Sequence, residues 1–177
     1  MKSEYIYLIA QLPWLSFGAK PPLSFDKFLA LSRQFISEKD ADLLSSLPQS
    51  QDYAGGEKRN SALRQWVDFD TALRNDLVRI RSSRKHVDPS AYLRAGGMQD
   101  PGLMHVAAAA QRNPSPLEAE RLLDETRWSA LDELEAGHFF DLEILVIYAY
   151  KLMILIRWEQ IGSADKEKML EETLAKT

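Results

Sequence analysis

The fold is decided by residues 142–162, LEILVIYAYKLMILIRWEQIG, a long and predominantly apolar stretch. A helix formed by this stretch is apolar almost all round, which is typical of a helix in the middle of a core. Glu143, Lys151 and Arg157 interrupt the stretch and argue against a membrane span. Asp141 directly precedes it and can cap the first turn. The stretch therefore predicts the central helix of an all-α protein.

Cap signals upstream of this stretch predict further helices. Ser115-Pro116-Leu117-Glu118 places Ser at the N-cap, Pro at the first helical position and Glu at the third, and the helix should end at Gly137. Asp88-Pro89 and Asp100-Pro101 each place a capping carboxylate before a proline, so we expect a helix from each. The helix that begins at Asp88 should stop at Gly96-Gly97.

The first half of the chain also shows helical spacing. Apolar residues three and four positions apart predict a long helix, although Asp70 interrupts their stripe: Leu63, Trp66, Val67, Leu73, Leu77 and Ile80. Ser24 and Ser37 are suitable N-caps for two shorter helices that precede Pro48. Residues 5–15, YIYLIAQLPWL, fit either a strand or a short buried helix, and the sequence leaves this choice open.

These signals predict a helical bundle of six or seven helices, because no alternating strand series, βαβ rhythm or internal repeat accompanies them. The length of 177 residues suits a single domain. We expect an N-terminal apolar segment with a helical pair over 1–48, a main bundle over 57–162 and a charged tail over 163–177.

Composition excludes several classes of protein. The chain has no cysteine, which rules out a disulfide scaffold, a thiol nucleophile and a Cys-ligated zinc or iron–sulfur site. It has no long glycine-spaced phosphate loop and no Gly-x-Ser-x-Gly motif. We therefore predict no enzyme and no cofactor. The first residues show no signal-peptide pattern, so we expect a cytoplasmic location.

Charge is distributed unevenly along the chain, although the net charge is only −4. Residues 58–94 contain nine Lys and Arg against four Asp and Glu, whereas residues 117–177 contain seven against fourteen. Few aromatic residues lie among the basic ones, which does not favour nucleic-acid binding. The two oppositely charged regions can pack against each other within the chain, and they can also offer surfaces of opposite sign to protein partners.

Candidate partner contacts follow from this pattern. The basic candidates lie on the predicted long helix: Arg74, Arg79, Arg81, Arg84 and Lys85. Trp128 lies off the apolar stripe that runs from Leu123 to Leu134, and Trp14 follows a proline in a short apolar segment. We expect both tryptophans to be exposed anchors for partners.

One cluster has metal-ligand or acid–base chemistry. His138, Asp141 and Glu143 lie close together at the start of the central helix, and their side chains are of the types that bind divalent metals. Their spacing matches neither His-Glu-x-x-His nor Glu-x-x-His, so a capping role for Asp141 is the simpler interpretation. Metal or ligand binding by the three residues remains an alternative function.

Two blocks of the sequence resemble a known family. The opening Tyr5-x-Tyr7-Leu8-x-Ala10 and residues 21–47, PPLSFDKFLALSRQFISEKDADLLSSL, make up the first block, and residues 137–158, GHFFDLEILVIYAYKLMILIRW, the second. Both look like a small family encoded beside bacterial V-type ATPase genes. That family is weakly similar to the C-type subunit of V/A-type rotary ATPases (the d-type subunit in eukaryotes), in which three similar helical lobes form a funnel. This chain has room for about one lobe.

The resemblance implies a non-catalytic accessory or stalk-coupling protein. Such a protein would bridge the soluble central stalk and the membrane rotor of a proton- or sodium-translocating ATPase. Its partners would be other subunits of that ATPase. It would lie at the inner membrane face through those partners only. The alternative is a helical adaptor protein that is unrelated to such ATPases.

Overall fold

The computed structural model describes residues 4–47, 60–97 and 100–174, with side chains described as far as residue 164. Within these ranges it contains seven helices and no strand, which confirms the prediction of an all-α fold. The helices are α1 (Tyr5–Gln11), α2 (Phe25–Phe35), α3 (Glu38–Ser45), α4 (Ser61–Lys85), α5 (Pro101–Arg112), α6 (Pro116–Glu135) and α7 (Leu142–Leu174).

Side-chain caps fix the start of most helices where the sequence predicts them. Ser24, Ser37 and Ser115 each accept a hydrogen bond from the backbone N–H three residues later. Asp100 accepts one from the N–H of Gly102. Asn60, a residue type that favours N-cap positions, caps α4 by accepting from the N–H of Leu63. These bonds satisfy donors that the first helical turn leaves unpaired.

The chain divides into two compact units. The terminal unit combines Met1–Ser46 with Phe140–Thr177, and the central unit is Leu47–Phe139. The terminal unit therefore holds α1, α2, α3 and α7, while the central unit holds α4, α5 and α6. The sequence pattern groups residues 57–162 as the main bundle, whereas the structure groups α7 with the N-terminal helices.

The core of the terminal unit forms around α7. Leu145, Ile147 and Leu152 of this helix are fully buried, as is Phe28 of α2. The Phe28 ring stacks on that of Tyr148, with ring centroids 5.4 Å apart. The prediction that residues 142–162 form a central helix is thus confirmed for the unit that contains them.

The core of the central unit joins three helices. Leu73 and Leu77 of α4 pack in one cluster with Leu103 and Ala107 of α5 and Leu123 of α6. Burying each leucine contributes about 1.5–3 kcal/mol relative to leaving it exposed. This cluster packs α5 and α6 against α4.

The structure resolves one choice that the sequence left open and differs from the sequence prediction in two other segments. Residues 5–11 form a helix rather than a strand. The prediction of a helix from Asp88 is wrong, because residues 88–97 contain turns, bends and irregular backbone but no helix. Helix α7 continues past Gly162 to Leu174. A helical glycine costs about 1 kcal/mol relative to alanine, which the strong helix formers that follow offset.

The loop that replaces the predicted helix is held by Asn75. The Asn75 amide oxygen accepts from the N–H of Arg94 at 2.9 Å, and its amide nitrogen donates to the Arg94 carbonyl at 3.0 Å. Asp88 binds the backbone and hydroxyl of Ser90, which makes a local turn instead of a helical cap. Tertiary contacts from α4 thus replace the helical bonds that we predicted.

Candidate functional site

Two of the five predicted partner-facing cations form ion pairs within α4. The Arg74 Nε lies 2.7 Å from Asp70 Oδ2, and Arg79 Nη1 lies 2.6 Å from Asp76 Oδ1. Asp70 and Asp76 are buried. Because each positive charge is matched by a carboxylate on the same helix, Arg74 and Arg79 contribute little net charge to the surface.

The other three cations lie together at the end of α4, and a fourth joins them from α5. Arg81 Nε donates to Gln111 Oε1 at 3.3 Å, and Arg84 Nη1 donates to the Gln111 carbonyl at 3.4 Å. Lys85 follows Arg84, and Arg112 follows Gln111. We define Arg81, Arg84, Lys85 and Arg112 as the basic surface.

All four side chains of the basic surface are exposed. Among the residues that the structure describes, none of the four is ion-paired with a carboxylate. Sequence reasoning missed Arg112, because nothing in its local pattern shows that the end of α5 lies beside the end of α4. Its only signal was a cation in the last turn of a helix.

A buried ion network links α4 to α6 within the central unit. Arg127 Nε lies 2.9 Å from Asp70 Oδ1, and Arg127 Nη1 lies 2.8 Å from Asp124 Oδ1. All three residues are buried, with Asp70 and Asp124 each only 1 % exposed. The sequence showed Asp70 only as an interruption in an apolar stripe. The structure gives this carboxylate two arginine partners.

Electrostatics in the network favours the charged forms. Burial raises the pKa of Asp70, but the charges of Arg127 and Arg74 outweigh it and leave the pKa below 3.8, its ordinary value. Burial likewise opposes the charge of Arg127, and Asp70 and Asp124 overcome it, so the pKa of Arg127 is raised. The linked ion pairs connect α4 to α6, and each charge in the line has an opposite charge beside it.

The prediction that Trp128 is exposed is wrong. Its side chain is 8 % exposed and lies on the buried face of α6. That face includes Asp124 and Arg127 beside Leu123 and Leu131. Because Asp124 and Arg127 are charged, a pattern that counts only apolar residues does not identify this face as buried. Trp128 therefore belongs to the interior of the central unit and offers no surface anchor.

Trp14 is 86 % exposed, as the sequence predicts. The residues on either side of it are held in place. The carbonyl of Pro13 accepts a hydrogen bond from the Tyr148 hydroxyl at 3.0 Å, and Leu15 is buried. Burial raises the pKa of Tyr148 to about 12, so its hydroxyl keeps the donated proton at neutral pH. A large aromatic side chain is thus presented on an anchored backbone.

Two further apolar side chains are exposed on α1. Ile6 is 54 % and Tyr7 65 % exposed, whereas Leu8 is fully buried. No charged residue occurs between Glu4 and Lys20. The segment that contains Ile6, Tyr7 and Trp14 therefore exposes three large side chains and no charged one.

His138, Asp141 and Glu143 lie near one another, as the metal hypothesis requires. Each is half-buried and offers one ligand atom, and these atoms all lie within 4.8 Å of one another. Asp141 Oδ1 also accepts from the N–H of Ile144 at 3.1 Å, which confirms the predicted cap of α7. A nitrogen and two carboxylate oxygens are a donor set that suits zinc or another divalent transition metal.

Asp141 and Glu143 lie in a region of negative charge. The Tyr5 hydroxyl donates to Asp40 Oδ2 at 2.7 Å. Burial, this bond and the nearby negative charges of Asp40, Glu143 and Asp141 raise the pKa of Tyr5 well above its usual value. Such a region attracts cations.

Neither protein-family models, curated proteins nor solved structures give a match to the chain. In the part of the chain that the structure describes, no helix has both the length and the apolar character needed to cross a membrane.

Proposed function

We propose that this chain is a non-catalytic accessory or central-stalk coupling subunit of a bacterial V/A-type rotary ATPase. It would bridge the soluble stalk and the membrane rotor and reach the membrane only through its partners. The proposal starts from the two sequence blocks that resemble the family encoded beside such ATPases, namely residues 5–10 with 21–47, and residues 137–158.

One structural observation supports the proposal. The two blocks are separated by about half of the chain, yet nearly all of both falls in the terminal unit. Helices α1, α2 and α3 of the first block belong to the same unit as α7 of the second, and α2 and α3 both contact α7. The resemblance therefore covers one physical unit rather than two unrelated apolar stretches.

Trp14 is the contact that we assign to a partner in this role. Binding hot spots are enriched in tryptophan, and an anchored backbone reduces the entropy lost on association. Pro13 and Leu15 provide that anchorage on either side of the side chain. Ile6 and Tyr7 add apolar surface of the same kind. A stalk or rotor protein with a complementary apolar groove would bury these side chains.

An affinity pull-down of tagged full-length protein from its native cells tests the proposal. We expect mass spectrometry to identify stalk or rotor subunits at low and moderate salt. The Trp14→Ala variant should recover at least tenfold less of them. The matched control is Tyr92→Ala, which removes an aromatic side chain that is 65 % exposed in the central unit, and it should recover as much as the wild type.

The pull-down has two contrary outcomes. Recovery of other proteins in place of ATPase subunits would replace the proposal with the unrelated helical adaptor. Equal losses for Trp14→Ala and Tyr92→Ala would remove Trp14 from the contact, even if ATPase subunits are recovered.

The proximity of His138, Asp141 and Glu143 favours a second candidate function, the binding of a divalent metal. Calorimetric titration with zinc should show one site in the wild type, and His138→Ala should weaken it at least tenfold. His105→Ala is the matched control, because His105 is exposed on α5. Equal zinc affinity in all three proteins would eliminate this candidate.

A further inference from the structure

We propose that the basic surface of the central unit is a docking site for an acidic segment of another protein. The four cations come from two helices whose C-terminal ends are joined through Gln111. This proposal rests on Arg81, Arg84, Lys85 and Arg112 alone, and it does not depend on which complex the chain belongs to.

The positions of these cations suit the recognition of several carboxylates at once. Gln111 is shared by Arg81 and Arg84, so the two guanidinium groups lie close together and are partly ordered before any partner binds. Guanidinium groups bind carboxylates in a planar, two-point geometry that a lysine cannot offer. Lys85 and Arg112 extend the positive region beyond this pair, so that it matches a segment with successive acidic residues.

Helix-end electrostatics does not by itself explain four cations here. A positive charge near a helix C-terminus is favourable, and Arg84 does reach the carbonyl of Gln111 in the last turn of α5. However, α1, α3 and α6 end without any basic residue in the last turn. Helices in this chain therefore form without terminal cations, and α2 ends with one, Arg33, so the four exposed cations at the ends of α4 and α5 exceed what a helix end needs and can serve a ligand.

Several observations favour a protein over nucleic acid or a lipid surface. The whole chain carries a net charge of −4 and would be repelled by a polyanion larger than the basic surface. Val87, directly after the C-cap of α4, is 48 % exposed and provides apolar contact beside the charges. Acidic protein segments commonly combine carboxylates with apolar side chains, which fits such a mixed surface.

Fluorescence anisotropy with a labelled helical peptide rich in glutamate and leucine tests the proposal on the full chain. We expect saturable binding at low salt that weakens as salt is added, because the charges of the basic surface are exposed. A peptide with glutamine in place of glutamate should not bind. The double variant Arg84→Glu/Arg112→Glu should lower the affinity for the acidic peptide at least tenfold.

The matched control reverses two charges elsewhere. Lys27→Glu/Arg33→Glu changes the net charge equally, and Arg33, like Arg84, is an exposed arginine in the last turn of its helix. It should bind the peptide within twofold of the wild type. Circular dichroism verifies the folding of both doubles. If Arg84→Glu/Arg112→Glu fails to fold, the milder Arg81→Gln/Lys85→Gln variant replaces it and should lose at least threefold in affinity.

Three outcomes would overturn the proposal. The first is equal loss of affinity in the basic-surface and control variants, which would indicate a net-charge effect. The second is tighter binding of duplex DNA or of vesicles containing phosphatidylserine than of the acidic peptide. The third is the absence of saturable peptide binding at low salt.

Discussion

Asp70 and Arg127, 57 residues apart in the chain, meet in the interior of the central unit with 2.9 Å between Oδ1 and Nε. Asp70 also binds Arg74, and Arg127 also binds Asp124, so the pair is the centre of a four-residue network. Ionised groups this deep are tolerated only when each has a partner. The network therefore ties α6 to α4, and removal of Asp70 or Arg127 leaves the remaining buried charges with fewer opposite charges around them.

Replacing Asp70 with alanine should destabilise the protein by about 3–5 kcal/mol, because Arg127 would keep its charge in the interior with one carboxylate fewer. Urea unfolding followed by circular dichroism gives the free energy of unfolding. The control is Arg121→Ala, which breaks the exposed 3.2 Å pair with Glu125 and should cost at most about 1 kcal/mol. Similar losses in the two variants would contradict a central role for the network.

The same network should make the stability of the protein depend on pH in the acid range. The pKa of Asp70 in the folded protein lies below its ordinary value of 3.8, so its charged form is favoured by folding. Such a group contributes stability above the unfolded pKa, and the contribution is lost as pH falls through the folded pKa. The difference in unfolding free energy between the wild type and Asp70→Asn should be constant near neutral pH and shrink below about pH 4. An unchanged difference throughout acid unfolding would disprove this linkage.

Local signals in the sequence predict much of the fold. The serine caps at positions 24, 37 and 115 depend on a side chain and an N–H three residues away, so a short window contains the whole interaction. The central position of α7 follows from its almost continuous apolar composition. These features do not require knowledge of which distant segments meet.

The errors arise where distant segments decide the outcome. The sequence pattern misplaces Trp128 because Asp124 and Arg127 occupy the buried face of α6, and their burial depends on Asp70 in another helix. The predicted helix at Asp88 gives way to a loop because the amide of Asn75 binds the backbone of Arg94. For the same reason, the sequence did not predict that Arg112 belongs to the basic surface. No local pattern contains the partner that determines these positions.

Gly97 packs against the backbone of α4, so replacing it should be unusually costly. Its φ is +85°, and a Cβ at this position would lie 2.9 Å from the backbone nitrogen of Ala72. Gly97→Ala combines a disfavoured left-handed conformation with a clash that a side chain cannot relieve, and we expect a loss of about 2 kcal/mol or more. Thermal unfolding of the purified variant gives the size of the effect.

Gly18→Ala is the control for Gly97→Ala. Gly18 has a similar φ of +79°, but nothing lies within 4 Å of the added Cβ. It isolates the backbone strain, about 1 kcal/mol for a left-handed alanine, from the clash. If the two variants lose equal stability, the close approach of Gly97 to α4 has no energetic consequence.

Ile147→Asp should unfold or strongly destabilise the terminal unit. Ile147 is 2 % exposed in the centre of α7, and an aspartate there would be buried without a designed partner, at a cost of at least about 3 kcal/mol. Met153→Asp should cost less, because Met153 is only half-buried, and Gln160→Asp on the exposed side should change stability by less than about 0.5 kcal/mol. Urea unfolding of the three variants should therefore rank them by burial. A tolerated aspartate at position 147 would show that α7 is not the central helix that residues 142–162 predict.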